Sequence, residues 1–282
     1  MSGRLIAVGE VMLDIAAAAL APGETAHAPI HVRPGGSAVT AALWAAAEGL
    51  DATIVGRVGA DAAGHAVQAS LVDAGVEPRL AIDAAHPTGT FLEAGTGAQR
   101  SVVADRGANA FLHADDLGDL TAGAVLVSGY VLLHDDTFDA GRAALEHAAA
   151  DWIAVDSGSA RLVTRIGAHT ALARALGANA IFADADEAEA LTGETGEAAA
   201  AVLAERFRLV CVKLGADGAI ASLDGVTERR LPPERLEHGA AGAGDALAGV
   251  LLAGLLLGRS LGDALEQACA AGTQAAAGRF PR

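Results

Sequence analysis

Short β-like segments alternate with alanine- and leucine-rich helical segments along this 282-residue chain, and this alternation restricts the fold more than any other feature. Six β-like segments stand out, at residues 4–9, 52–59, 124–130, 152–158, 179–184 and 209–215. Strands that alternate with helices favour right-handed crossover connections and a mostly parallel sheet. We therefore predict one α/β domain over residues 1–282, with its ligands at the carboxyl ends of the strands.

Two segments, residues 13–34 and residues 79–105, depart from this alternation because neither shows helical periodicity. The second alternates apolar and polar residues around AGTGAQ (94–99), a sequence typical of a hairpin turn. We predict that both segments supply the strands of a small β lid. The alternative is a pair of ordinary surface hairpins.

The chain is strongly acidic, with a formal net charge of −16 at pH 7. This charge repels nucleic acids and anionic membranes, so neither is an expected partner, and a small anionic ligand would need a local electropositive site.

The N-terminus shows no secretory signal pattern, which favours a cytoplasmic protein. The apolar stretch 246–258 is too short to cross a bilayer and predicts a buried helix. Cys211 and Cys269 lie in apolar contexts and are expected to pack rather than to form a bridge.

Several common nucleotide and metal motifs are excluded. Lys213 is the only lysine and is not followed by Ser or Thr, so a Walker A phosphate loop is impossible. The first strand continues into VGEVMLD (8–14) instead of a G-x-G-x-x-G loop, which weighs against a dinucleotide site. The nine histidines match no zinc spacing.

The segment GAGD (242–245) remains as the strongest candidate for a functional motif. Successive amides of a glycine turn form an anion-binding nest, and a helix that begins there adds the positive end of its dipole. Asp245 has two interpretations. It caps the helix, or it accepts the proton of a hydroxyl that attacks a phosphoryl group. The second interpretation explains why a carboxylate would stand where it repels phosphate.

An ordered series of motifs resembles the ribokinase-like, or PfkB-type, family of carbohydrate and nucleoside kinases. The series comprises VGEVMLD (8–14), PGGSAVTAALWAAAEG (34–49), VGRVGADAAGHAVQASLVDAGVEP (55–78), DRGAN (105–109), VSGY (127–130), DADEAEALTG (184–193), VKLGADGA (212–219) and GAAGAGDAL (239–247). The resemblance implies a three-layer α/β/α sandwich with a mostly parallel sheet and a small β lid. It also implies a phosphotransferase that uses ATP and Mg²⁺.

The resemblance implies roles for individual residues as well. Asp245 would be the catalytic base, beside an anion hole formed by the amides of Gly242, Ala243 and Gly244. The acceptor would be bound by Asp14, Gly35, Gly36, Thr40, Arg106 and Asn109, the nucleotide by Lys213, Gly215 and Gly218, and the magnesium ion by Glu187 and Asp184.

Four positions differ from the family pattern. Gly239 and Ala240 replace the Asp and Thr of the D-T-x-G-A-G-D signature, so activation by a monovalent cation is not predicted. Thr40 replaces the asparagine that usually follows the Gly-Gly pair, which changes the hydrogen bonding offered to the acceptor. Asp184 replaces the asparagine of N-x-x-E, and its added carboxylate suits magnesium, held through water.

We therefore predict an ATP-dependent kinase that transfers the γ-phosphoryl group to a hydroxyl, expected to be primary, of a small sugar. Three alternatives stay open: a nucleoside kinase of the same family, a ligand-binding pseudokinase without turnover, and a purely structural α/β protein. Exposed lid strands often pair across a two-fold axis, so a homodimer through the lid is a further prediction.

Overall fold

The structure is a computed structural model that describes residues 3–17, 23, 25, 27–95, 100–236 and 241–281. The strands within these residues are β1 (Arg4–Val8), β2 (Met12–Ala17), β3 (Ile30–Gly35), β4 (Asp51–Gly59), β5 (Val76–Asp83), β6 (Gly89–Ala94), β7 (Ser101–Asp105), β8 (Ala124–Ser128), β9 (Trp152–Asp156), β10 (Ala180–Asp184), β11 (Leu209–Lys213), β12 (Ala219–Leu223) and β13 (Val226–Arg230). The α-helices are α1 (Ser37–Ala47), α2 (Ala62–Asp73), α3 (Gly129–Leu133), α4 (Phe138–His147), α5 (Ala160–Ile166), α6 (Ala168–Arg174), α7 (Ala185–Thr192), α8 (Gly196–Ala204), α9 (Ala243–Leu256) and α10 (Leu261–Ala276).

A nine-stranded sheet forms the middle layer, in the order β13-β12-β11-β10-β9-β8-β1-β4-β5. Neighbouring strands from β11 to β5 are parallel, and β12 and β13 add an antiparallel edge. Side chains alternate across β1, where Leu5 packs against the core under α1, α9 and α10, and Ile6 packs against the core under α3 to α8. The predicted mostly parallel sheet with helices on both faces is therefore confirmed.

The large sheet has more strands than the sequence pattern indicated. β5, β12 and β13 were not recognised as strands of this sheet: each lies at or near its edge, and β5 and β13 carry charged side chains. The prediction that residues 79–105 belong to the lid is wrong at its start, since residues 79–83 pair with β4 in the large sheet. The predicted strand 124–130 ends at Ser128, whose hydroxyl accepts a hydrogen bond from the amide of Tyr130 (3.2 Å) and caps α3.

A separate four-stranded sheet, which we call the small sheet, has the order β3-β2-β6-β7. β2 is antiparallel to β3 but parallel to β6, and β6 and β7 form an antiparallel pair. Most of the turn predicted at AGTGAQ, residues 96–99, lies outside the described residues, as do 18–22, 24 and 26 of the first predicted lid segment. One face carries Asp14, Phe91 and Ala104 in a single cross-strand row, and these residues line a cavity described below.

The predicted buried helix is α9, which packs closely on α1. A Cβ at Gly249 would overlap the backbone carbonyl of Ala41, so the two helices approach at a distance that only glycine permits. This contact fixes α9, whose first turn contains the GAGD motif, against α1, which carries Thr40. Cys211 and Cys269 are buried free thiols, as expected. Over the described ranges, no helix combines the length and hydrophobicity that a membrane span requires.

We expect Gly249→Ala to lower the free energy of unfolding by about 1–3 kcal/mol, because the added methyl group must displace the backbone of α1. Chemical denaturation followed by circular dichroism measures this loss.

The matched control is Gly262→Ala in α10, where the added Cβ would overlap the end of the Arg230 side chain and lie 3.6 Å from the Glu228 carboxyl carbon, two side-chain groups that can shift without moving a backbone. This control should keep or slightly raise stability, since alanine favours the helix by about 1 kcal/mol over glycine. Equal losses in both variants would contradict a special close approach at Gly249.

Candidate active site

A cavity of about 790 Å³ opens between the small sheet and the carboxyl ends of the large sheet. Asp156, Asp184 and Lys213 end three neighbouring parallel strands and line its floor. Asp14 and Phe91 of the small sheet line the opposite wall. The volume lies in the range of small-molecule sites, at the sheet edge where the sequence predicted ligands.

The first turn of α9 forms one side of this cavity. Gly242 has φ 95° and ψ 0°, a left-handed conformation suited to glycine, and α9 begins at the next residue. Gly242 and Gly244 line the cavity, and within the described residues no side chain accepts a hydrogen bond from the first amides of the helix. These amides and the helix dipole therefore remain available to an anion.

Asp245 is held in place by a serine rather than by its own helix. The Ser37 hydroxyl donates a hydrogen bond to Oδ1 of Asp245 (2.7 Å), so the carboxylate does not act as the helix cap. Burial raises the pKa of Asp245 above its usual value, and the neighbouring Asp156 carboxylate raises it further, against the opposing effects of Lys213 and Ser37. A raised pKa makes this carboxylate a stronger base than an exposed aspartate.

Lys213 places a positive charge directly against the glycine turn. Its Nζ lies 2.7 Å from Oδ2 of Asp156, and both side chains are buried. A Cβ at Gly244 would lie 3.1 Å from this Nζ, so the ammonium adjoins the first turn of α9. Burial alone would lower the pKa of Lys213, but the surrounding carboxylates, Asp156 first, outweigh it and raise the pKa. Lys213 therefore stays charged across the physiological pH range.

Glu187 and Asp184 form a capping box at the start of α7. Oδ1 of Asp184 accepts from the Glu187 amide (2.8 Å), and Oε2 of Glu187 accepts from the Asp184 amide (2.8 Å) and from the Ser157 hydroxyl (2.7 Å). Burial raises the pKa of Glu187, Asp156 and Asp184 add to the rise, and Lys213 opposes it. Both carboxylates line the cavity.

A magnesium ion fits this pair of carboxylates. The described residues contain no cluster of three or more acidic, histidine or cysteine side chains that could hold a metal. Magnesium does not need such a cluster, because it keeps several waters and is commonly bound by one or two carboxylates together with substrate phosphates. Asp184 and Glu187 offer that donor set, and each commits one oxygen to the cap.

Asp14 lies beside the Gly-Gly pair, and neither glycine of the pair has room for a side chain. A Cβ at Gly35 would overlap the Asp14 carboxyl, and a Cβ at Gly36, at φ 102°, would overlap the backbone carbonyl of Glu10. Oδ1 of Asp14 is buried and has no hydrogen-bond partner among the described residues. Burial raises the pKa of Asp14 to about 6, with the Arg33 guanidinium opposing the shift. The cavity therefore contains an acceptor oxygen ready for a ligand hydroxyl.

The other residues predicted to bind the acceptor differ in whether they face the cavity. Thr40 is buried beside the Gly242 turn, with its Cγ2 3.2 Å from where a Cβ at Gly242 would lie, and it lines the cavity. Arg106 also lines the cavity, but its guanidinium is already paired with Asp136 (2.7 Å). Asn109 does not have its predicted place in the acceptor site, because its side-chain amide forms hydrogen bonds with the backbone of Val11 and Arg106. It connects β1, β2 and the turn after β7 instead of facing a ligand.

A second, smaller cavity of about 320 Å³ continues from the first. The two share Lys213, Gly215 and Gly244, and the smaller one extends between residues 215–218 and helices α9 and α10. Its walls are mainly apolar, with Pro232, Leu236, Leu247 and Ala276 among the lining side chains. Gly218, which was predicted to bind the nucleotide, has φ 86°, and a Cβ there would overlap the Arg230 carbonyl. The backbone conformation and packing therefore also require glycine at this position.

Four polar residues of the site had no predicted role. Ser37 and Ser157 hold Asp245 and Glu187, Asp156 pairs with Lys213, and Glu10 accepts from the Ser128 hydroxyl (2.8 Å). Asp156 and Glu10 lie at strand ends, a position that could have identified them. Ser157 follows Asp156 at the same strand end, whereas Ser37 is the first residue of α1 and carries no such signal. Gly239 and Ala240, the departures from the family signature, lie outside the described residues.

Comparison with known proteins identifies the family of the chain. A model of the pfkB family of carbohydrate kinases matches residues 2–279, whereas a comparison with curated proteins finds no significant match. Adenosine kinase from Sinorhizobium meliloti superimposes with a TM-score of 0.86 at 23% identity, over 99% of this chain and 95% of that chain.

Two further structures carry bound ligands. An Escherichia coli protein provisionally called ribokinase II, solved with ATP and Mg²⁺, gives a TM-score of 0.88 at 22% identity over 100% of this chain and 94% of that one. Fructokinase from Vibrio cholerae O395, with fructose, ADP and calcium, gives 0.79 at 22% identity over 97% and 92%. These likenesses confirm the ribokinase-like fold. With the family model spanning nearly the whole sequence, the chain belongs to the pfkB family of carbohydrate kinases, phosphotransferases that act on sugar or nucleoside hydroxyls.

Proposed function

We propose that this protein transfers the γ-phosphoryl group of ATP to a hydroxyl, expected to be primary, of a small sugar. The observation that carries the proposal is the juxtaposition of Asp245, the first amides of α9 and the Lys213 ammonium at the junction of two cavities. ATP and Mg²⁺ are the cosubstrate and the metal, in agreement with the ATP and magnesium bound to the ribokinase II neighbour.

The larger cavity is the proposed acceptor site. Oδ1 of Asp14 would accept a hydrogen bond from a sugar hydroxyl, Gly36 would let the sugar approach the backbone closely, and the Thr40 hydroxyl would offer it a further hydrogen bond. The side chain of Arg106 would line the acceptor site without offering an unpaired positive charge, because it already forms an ion pair with Asp136. Tyr130, Phe91 and His134 also line this cavity, and their rings would suit a planar base, which keeps a nucleoside kinase as the second candidate.

The smaller cavity is the proposed nucleotide site. Its apolar walls suit an adenine ring, and Gly215 and Gly218 form its loop side. The triphosphate would extend toward the shared residues Lys213 and Gly244, so that the terminal phosphate meets the first turn of α9. Asp184 and Glu187 would hold the magnesium ion, which neutralises charge on the phosphates when bound.

The chemistry then follows from the charges in the site. Asp245 would take the proton of the attacking hydroxyl, and its raised pKa favours that transfer. The amides of Gly242, Ala243 and Gly244, together with Lys213, would stabilise the charge spread over the migrating phosphoryl oxygens. The small sheet would act as a lid that excludes water, which otherwise competes as an acceptor. We place the protein in the cytoplasm, where ATP is available and its two thiols stay reduced.

We expect Asp245→Asn to lower turnover about 10²–10⁴-fold, because the amide cannot accept the hydroxyl proton. Release of ADP is measured for parental and variant protein with ribose, fructose, 2-keto-3-deoxygluconate, adenosine and pseudouridine as acceptors, and the best parental acceptor identifies the substrate class.

Asp263→Asn is the matched control. Asp263 is also the third residue of a helix and accepts a serine hydroxyl, from Ser260 (2.7 Å), but it is exposed and does not line either cavity. This variant should keep the parental rate. A near-parental rate for Asp245→Asn would refute the base assignment. A parental protein that binds sugar but turns over no acceptor would support the pseudokinase alternative.

We also propose that the outer face of the small sheet forms a homodimer interface. Ile15, Leu92 and Val103 form a cross-strand row on this face, and Val32 pairs with Ile15 in register. Val32 is 58% exposed and Val103 is 68% exposed, an apolar surface that a second copy would cover. Sedimentation of parental protein should give a dimer and Val103→Lys a monomer. A parental monomer at all accessible concentrations would contradict this interface.

A further inference from the structure

Phe280, close to the C-terminus, contacts both the small sheet and the first turn of α9. The guanidinium carbon of Arg33 on β3 lies 3.5 Å from the centre of the Phe280 ring. A Cβ at Gly242 would lie 3.6 Å from Cε1 of the same ring. The ring is partly buried and packs against the core beneath α1, α9 and α10. A single side chain four residues beyond α10 therefore connects the small sheet with the first turn of α9, two elements that are far apart in sequence.

Arg33 is the partner that carries this contact toward the acceptor site. In the small sheet Arg33 pairs in register with Asp14, and its Nε lies 3.8 Å from Oδ2 of that carboxylate. Both side chains are largely shielded from solvent, at 26% and 13% exposed. The guanidinium thus lies between an aromatic ring and the Asp14 carboxylate, whose other oxygen has no hydrogen-bond partner within the described residues.

We propose that Phe280 is a positioning residue for acceptor binding, because its ring holds the Arg33 guanidinium against Asp14. The proposal rests on the acceptor role given to Asp14 in the proposed function. Phe280 itself is not among the residues that line the cavity, although it packs beside Gly242, which does, and it acts on Asp14 through Arg33. Without the ring, Arg33 is free to turn toward Glu93, the other carboxylate that attracts it.

The charges around Asp14 give the expected direction of the effect. Burial raises the pKa of Asp14, Arg33 lowers it, and Asp245 and Glu93 raise it again. Glu93 is itself paired with Arg100 (3.0 Å). If Arg33 moves away, the pKa of Asp14 rises, because the opposing positive charge is lost while burial and the two carboxylates remain. A smaller fraction of Asp14 is then ionised near neutral pH, and a weaker hydrogen bond is offered to the acceptor.

The direct test is a ¹³C NMR titration of the Asp14 carboxyl, with Asp14→Asn used to assign the signal. Phe280→Leu removes the ring but keeps an apolar side chain, and we expect it to raise the pKa of Asp14 above the parental value. Phe280→Tyr keeps the ring and should restore the parental titration. Parental titration of Asp14 in Phe280→Leu would overturn the proposal whether or not the protein is active.

The kinetic test uses ribose, fructose and adenosine as acceptors. Phe280→Leu should raise the acceptor KM about 2–30-fold, the range that loss of a cation–π contact allows, and leave kcat and the KM for ATP nearly unchanged. The acid limb of kcat/KM for the acceptor should move to higher pH. An equal rise in both KM values, or an unmoved acid limb, would show a merely structural role.

Phe138→Leu is the matched control, because Phe138 also lies under an arginine, with the Arg174 guanidinium 4.5 Å from its ring, and it does not line the cavity. It should leave the Asp14 titration and the acceptor KM unchanged. A parental protein that turns over no acceptor would refute the proposed function, and the Asp14 titration would still decide the role of Phe280.

Discussion

The buried ion pair between Lys213 and Asp156 is the interaction on which the proposed chemistry depends. The chain carries a formal net charge of −16, and Asp156, Asp184, Glu187 and Asp245 all line the larger cavity. A polyphosphate would be repelled from such a cavity unless positive charge were concentrated at one point. The only lysine of the chain supplies that charge, and the first amides of α9 lie beside it. Asp156 holds the ammonium in place and keeps it protonated.

Glycine makes the close approaches that bring these groups together. Gly35 leaves room for the Asp14 carboxyl, Gly249 lets α9 pack on α1, and Gly244 lets the Lys213 side chain reach the start of α9. At Gly35 and Gly249 a neighbouring group occupies the place of a Cβ, and at Gly244 the Lys213 side chain lies 3.1 Å from it. The site is therefore specified by the absence of side chains as much as by the presence of carboxylates.

The sequence predicted the elements with strong local signals. The parallel strands alternate with helices in a clear pattern, and the GAGD turn could be recognised from its glycines and its lone aspartate. β5 carries no clear pattern, because it is an edge strand and only partly buried. The acceptor role of Asn109 was implied by the resemblance alone, and the sequence does not show that this side chain bonds to backbone. The contacts of Ser37 with Asp245 and of Phe280 with Arg33 join residues more than 200 positions apart. Only the folded chain brings them together.

The most direct measurement is the affinity for a non-hydrolysable ATP analogue, determined by isothermal titration calorimetry. Lys213→Met should weaken binding about 10–100-fold, because a charge-assisted contact with phosphate is lost. Because this change leaves Asp156 buried without a partner, the double variant Lys213→Met with Asp156→Asn is measured beside it. If Lys213 supplies the local positive charge that binds phosphate, the double variant should regain thermal stability but not affinity for the ATP analogue. Parental affinity in the double variant would contradict this role of Lys213.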